Sequence, residues 1–84
     1  KKNIIVNYLN SSQDIYIKTP ESNIIKQVYL INMVGQTVKS WNATNNLISS
    51  EFKIPVKRIS DGNYIIKVVT DRGTYNKKVV IKLD

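Results

Sequence analysis

The chain has 84 residues, with thirteen Lys or Arg against six Asp or Glu, no His and no Cys, and a formal net charge of +7. Without His and Cys the commonest general base, the commonest zinc ligand, the thiol nucleophile and any disulfide are excluded together. Hydrophobic residues make up 42%, near the mean for soluble folds and above that of disordered segments, so an ordered domain is expected, burying only roughly 60–65% of its unfolded surface.

Apolar and polar residues alternate with period two along nearly the whole chain, and β-branched and aromatic residues dominate between Asn, Ser, Gly and Asp clusters. No segment carries a helical period, and short strands are predicted throughout. The first covers Asn3 to Leu9, and Asn10-Ser11-Ser12 turns the chain into a second, Asp14 to Thr19, with Ile15 and Ile17 on one face and Tyr16 and Lys18 on the other. Pro20-Glu21-Ser22-Asn23 reads as a loop, because Pro lacks a ladder donor and Ser and Asn bond locally.

The third strand, Ile24 or Ile25 to Met33, is apolar on both faces, with Val28 and Leu30 against Tyr29 and Ile31, as expected for a central strand covered on two sides. Val34-Gly35-Gln36 follows, and Gly35 supplies the positive φ of a tight bulged hairpin into a strand over Thr37 to Trp41. Asn42 to Ser50 is mostly polar and reads as a crossover. Phe52, Ile54 and Val56 then alternate with lysines in a strand that Pro55 confines to a sheet edge. Ile59-Ser60-Asp61-Gly62 is a turn, and Asn63 to Thr70 pairs with Tyr75 to Leu83 across Asp71-Arg72-Gly73.

Seven short strands with turn signals at this spacing predict an all-β, immunoglobulin-like antiparallel β-sandwich, with a small open barrel as the alternative. The longest uncharged stretch, Val28 to Val38, falls short of the ~20 apolar residues that span a bilayer. Ile4-Ile5-Val6 is too brief for a secretory apolar region. Residues 1–84 are therefore expected to form a single domain, a fragment of a longer protein whose export signal lies elsewhere.

Catalysis would rest on carboxylates, lysines or hydroxyls. At least three of the carboxylates Asp14, Glu21, Glu51, Asp61, Asp71 and Asp84 fall in predicted turns, where Asp bonds its own backbone. No serine occupies a nucleophile elbow. No catalytic residue, cofactor or metal site is assigned. Asn10-Ser11-Ser12 and Asn42-Ala43-Thr44 fit the glycosylation tripeptide and read as surface turns. The positive charge favours anionic partners such as acidic glycans or lipopolysaccharide. Nucleic acid is not expected, because Tyr16, Tyr29 and Tyr75 read as cross-strand packing residues rather than base-stacking platforms.

Three blocks carry a family resemblance: Val28-Tyr29-Leu30-Ile31-Asn32-Met33-Val34-Gly35-Gln36, Ile59-Ser60-Asp61-Gly62-Asn63-Tyr64-Ile65-Ile66-Lys67-Val68, and Lys77-Lys78-Val79-Val80-Ile81-Lys82. In order and spacing they resemble the C-terminal sorting domain of bacterial type IX (Por) secretion, over Ser11 to Asp84. The resemblance implies a non-catalytic address that sends an N-terminal cargo domain through the periplasm and across the outer membrane of a Gram-negative bacterium, to the cell surface or the medium. Its implied partners are the type IX outer-membrane translocon, a shuttle protein and a sortase-like signal peptidase, which removes the domain near or upstream of Lys1 and can join the cargo to anionic lipopolysaccharide.

Within it, Gly35 and Gly62 are assigned to turn geometry and Tyr64, Ile66 and Val68 to the core. Lys77, Lys78, Val79, Val80, Ile81 and Lys82 are assigned to recognition by the secretion machinery. An edge-strand homodimer is a further association that the strand pattern permits. Two alternatives stand beside the sorting domain: an adhesion or glycan-binding module that stacks sugars on Trp41 or Tyr16, and a spacer domain of a surface protein.

Overall fold

The computed structural model describes residues 4–20, 24–42 and 51–82. The predicted loop residues 21–23, the crossover over 43–50 and the strand ends at Asn3 and Leu83 lie outside the described residues. Seven strands form among the described residues: β1 Ile5–Leu9, β2 Asp14–Lys18, β3 Ile25–Asn32, β4 Thr37–Asn42, β5 Glu51–Pro55, β6 Gly62–Thr70 and β7 Gly73–Ile81. No described helix is long and apolar enough to cross a membrane.

The strands make two antiparallel sheets, a three-stranded one in the order β1-β2-β5 and a four-stranded one in the order β4-β3-β6-β7. Lettered in chain order with β4 as C′, they read A-B-E and C′-C-F-G, so the fold is an immunoglobulin-like β-sandwich. Alternation builds the core. Ile15, Ile17 and Ile54 face inward from one sheet and Val28, Leu30, Ile66, Val68 and Ile81 from the other, all with no exposed surface. Ile4, Ile25, Val56, Ile59, Tyr64 and Val79 complete the cluster, and Val6, Tyr8, Trp41, Phe52 and Tyr75 pack on its rim. Every buried side-chain polar atom among the described residues has a hydrogen-bond partner.

Pro55 ends β5, which lies at a sheet edge where its missing donor costs no ladder bond. β3 is central, but only its inner row of Ile25, Val28 and Leu30 is buried; Gln27, Tyr29 and Ile31 stay half-exposed on the outer face. A sandwich of two layers covers one face of each sheet, and on the half-exposed outer row the Nζ of Lys67 lies 5.8 Å from the centre of the Tyr29 ring.

The β6–β7 hairpin is tighter than the predicted three-residue turn. Gly73 pairs with Thr70 and opens β7, leaving Asp71 and Arg72 as the loop. The buried Thr70 hydroxyl donates to the Gly73 carbonyl at 2.8 Å and accepts from the Arg72 amide at 3.1 Å, which fixes that loop. Between β1 and β2 the turn extends to Gln13, whose φ of 56° lets its amide reach the Leu9 carbonyl at 2.7 Å.

Candidate functional site

The predicted recognition segment is the second half of β7, an edge strand paired on one side with β6. The pleat divides it. Val79 pairs with Tyr64 and Ile81 with Gly62, and both side chains are buried in the core. Lys78, Val80 and Lys82 are exposed on the outer face, with Val80 46% exposed. Lys77 is opposite Ile66, on the inward row, and stays exposed at the sandwich rim. An inward-row charge on an edge strand opposes uncontrolled pairing with other chains.

Across the outer face, Ile31 of β3 is opposite Ile65 of β6, which is opposite Lys78; Tyr29 is opposite Lys67 in the next row. Apolar and cationic side chains are therefore interleaved on a half-exposed sheet face that ends in the open edge of β7. The far end of that edge is tied down: the Tyr8 hydroxyl of β1 donates to the Lys82 carbonyl at 2.8 Å. This bond joins the first described strand to the end of the last, across the two sheets.

The remaining predicted residues lie in turns and in the core. Tyr64, at the start of β6, is 8% exposed, and its hydroxyl donates to the Ser60 carbonyl at 2.8 Å. A Tyr at the start of this strand bonding back to the preceding connection is the tyrosine corner of immunoglobulin-like folds. Gly62, two residues earlier, has φ +151° and sits 3.6 Å, measured from an added Cβ, from the Tyr64 ring. Ile66 and Val68 continue the same inward row with no exposure.

Gly35 has φ +90° with open space around it, so backbone conformation alone selects glycine there. The β3–β4 hairpin around it is organised by Asn32, which stands in the first resemblance block without an assigned role. Its Oδ1 accepts from the Val34 amide at 3.1 Å and the Gln36 amide at 2.9 Å. Its Nδ2 donates to Gln36 Oε1 at 3.2 Å. The Gly35 amide reaches the Asn32 carbonyl at 3.0 Å, closing a β-turn with Asn in its first position. Asn three residues before a hairpin glycine was the available signal, as Tyr two residues after Asp61-Gly62 was for the corner.

Trp41 is half-buried and packs on the core rim. Tyr16 lies on the outer face of the other sheet, between Asn7 and Lys53. The two aromatic residues considered for sugar stacking are thus on different sheets. No group of three or more His, Cys, Asp or Glu gathers among the described residues to hold a metal ion.

A comparison with family models matches residues 10–82 to the secretion system C-terminal sorting domain, the type IX sorting family. No curated protein matches the chain. The match covers most of the sequence, including the β3–β4 hairpin, the tyrosine corner and β7, and the chain belongs to this family.

Proposed function

We propose that this domain is the non-catalytic address of a longer exported protein, directing a cargo attached at its N-terminal side across the outer membrane by type IX secretion. The observation that carries the reading is the family match over residues 10–82. The partners in this reading are the outer-membrane translocon, a shuttle protein and a sortase-like signal peptidase that separates domain from cargo at the cell surface. The cargo ends on that surface or in the medium, linked in the first case to anionic lipopolysaccharide.

The division of β7 by its pleat refines the recognition assignment. Lys78, Val80 and Lys82 meet the secretion machinery, with Lys77 at the rim, whereas Val79 and Ile81 act by keeping the strand seated in the core. The open edge of β7 supports docking by strand addition, in which an incoming strand gains backbone hydrogen bonds and the lysines select an acidic partner surface. Gly35, Gly62 and Tyr64 shape the domain and do not contact the partner.

The test is a reporter carrying an export signal and this chain, with Lys78→Gln and Lys82→Gln introduced together. Both side chains are exposed, so the fold should change by no more than about 1 kcal/mol, about 0.5 kcal/mol for each substitution. Delivery should fall while circular dichroism stays that of the parent domain. Full delivery by the folded double variant would refute the assignment of these lysines.

A further inference from the structure

At the opposite side of the sandwich from β7, the edge strands β4 and β5 flank a cleft of about 260 Å³ lined by Lys39, Pro55, Lys57, Arg58 and Ile59. No carboxylate lines it, and Lys39, Lys57 and Arg58 have no ion-pair or hydrogen-bond partner among the described residues. Three cations line one small cleft, where like charges repel one another, and all three are exposed, so core packing does not require them there.

Their presentation is built into the backbone. Lys57 and Arg58 occupy the centre of a turn that the Ile59 amide closes on the Val56 carbonyl at 3.1 Å. Both flanking residues are anchored, Val56 at 1% and Ile59 at 7% exposure. The Val56 amide is held by the Gln13 carbonyl at 3.0 Å, itself fixed by the positive φ of Gln13. Lys39 arrives from the other sheet, opposite the buried Leu30 and therefore on the inward row of β4. β4 of one sheet and the turn after β5 of the other thus contribute cations to one cleft, which Pro55 and Ile59 also line.

We propose that this cleft is a binding site for a phosphate monoester group. A guanidinium presents a planar fork of donors to two oxygens, and two ammonium groups supply point charges for the third. A phosphate monoester brings close to two negative charges and three acceptor oxygens at neutral pH, matching three cations better than a single carboxylate does. The cleft is smaller than the roughly 300–1,000 Å³ of sites that enclose drug-sized ligands, so it takes the charged group and the first atoms of its substituent. That substituent belongs either to a soluble phosphate ester or to a lipid headgroup. The site is independent of β7 and of the sorting reading.

The experiment is a titration of the isotopically labelled 84-residue chain with inorganic phosphate, followed by amide chemical shifts at fixed ionic strength, with acetate and chloride as controls. Saturable shifts confined to Lys39 and residues 56–59 are expected, with a dissociation constant on the order of 1 mM. Lys39→Gln with Arg58→Gln should weaken binding about tenfold or more, and Lys78→Gln with Lys82→Gln should leave it unchanged.

Phosphatidylcholine vesicles with and without phosphatidic acid separate the two sources. Binding to the anionic vesicles that is lost in the Lys39/Arg58 variant assigns a lipid headgroup. Saturable phosphate binding without vesicle binding assigns a soluble ester. Shifts spread over all lysines, equal shifts with acetate, or phosphate and vesicle binding that survive the double substitution would overturn the proposal.

Discussion

Removing a single oxygen from Tyr64 tests how the corner holds the start of β6. In Tyr64→Phe the ring stays where it is, 8% exposed, and only the 2.8 Å bond to the Ser60 carbonyl is lost. A hydrogen bond of this kind contributes about 0.5–1.5 kcal/mol net, and leaving a buried partner unsatisfied costs up to about 3 kcal/mol. Ser60 is exposed, so water can replace the hydroxyl at its carbonyl, and the loss should be about 1 kcal/mol. For a domain of this size that is about 4–8 °C in Tm. With an m-value of about 1–2 kcal/mol/M, the urea midpoint falls by roughly 0.5–1 M at unchanged slope.

Trp41, the only tryptophan, packs on the core rim and reports unfolding by its fluorescence. Tyr64→Ala removes the ring as well and should cost about 3–5 kcal/mol, much of the roughly 4–13 kcal/mol that stabilises a chain of this length. A Tyr64→Phe midpoint equal to the parent's would refute a structural role for the hydroxyl bond and leave only the ring.

Asn32→Ala should destabilise the domain by about 1–2 kcal/mol, because the side chain holds two amides of the β3–β4 hairpin; Asn32→Asp keeps the accepting oxygen and should lose less than half as much in the same urea assay. Gly35→Ala meets no steric obstacle, so its cost is that of a left-handed backbone for an L-residue, about 1–2 kcal/mol, and Gly35→Asn should recover part of it. Thr70→Val keeps volume but removes the hydroxyl between Gly73 and Arg72, and native-state hydrogen exchange should show faster opening of the β6–β7 loop amides than of the β3–β6 ladder.

Much of the fold was legible in local patterns. The period of two places Ile15 and Ile17 on one face of a strand, and Tyr64, Ile66 and Val68 are assigned to the core; each set is an inward row in the structure. Pro55 marked an edge strand, and Gly35 the hairpin. The partition of strands between sheets was not legible at that level, because β2–β5 and β3–β6 pair residues that are far apart in the chain. The doubly apolar β3 resembled a strand covered on both sides, since nothing local in the sequence shows that Tyr29 and Ile31 share a half-exposed outer face, with Lys67 of the neighbouring strand over the Tyr29 ring.

The recognition segment shows the same limit at the level of the site. Lys77 to Lys82 reads as one basic stretch, whereas the ladder with β6 sends Val79 and Ile81 into the core and leaves Lys78, Val80 and Lys82 outside. One consequence concerns deletion. Truncation before Lys77 removes two core side chains along with the lysines, so it unfolds the domain as well as erasing any surface signal. The cleft between β4 and β5 depends on residues of both sheets meeting in space, with Lys39 remote in sequence from Lys57 and Arg58, and no linear motif marks it.

The most direct test of the central claim is the location of a reporter with an N-terminal export signal in a bacterium that has type IX secretion, made with and without this chain fused after it. The fused reporter should reach the cell surface or the medium, with the unfused reporter left in the periplasm. Periplasmic retention of both, with the fused domain folded and intact, would contradict the claim.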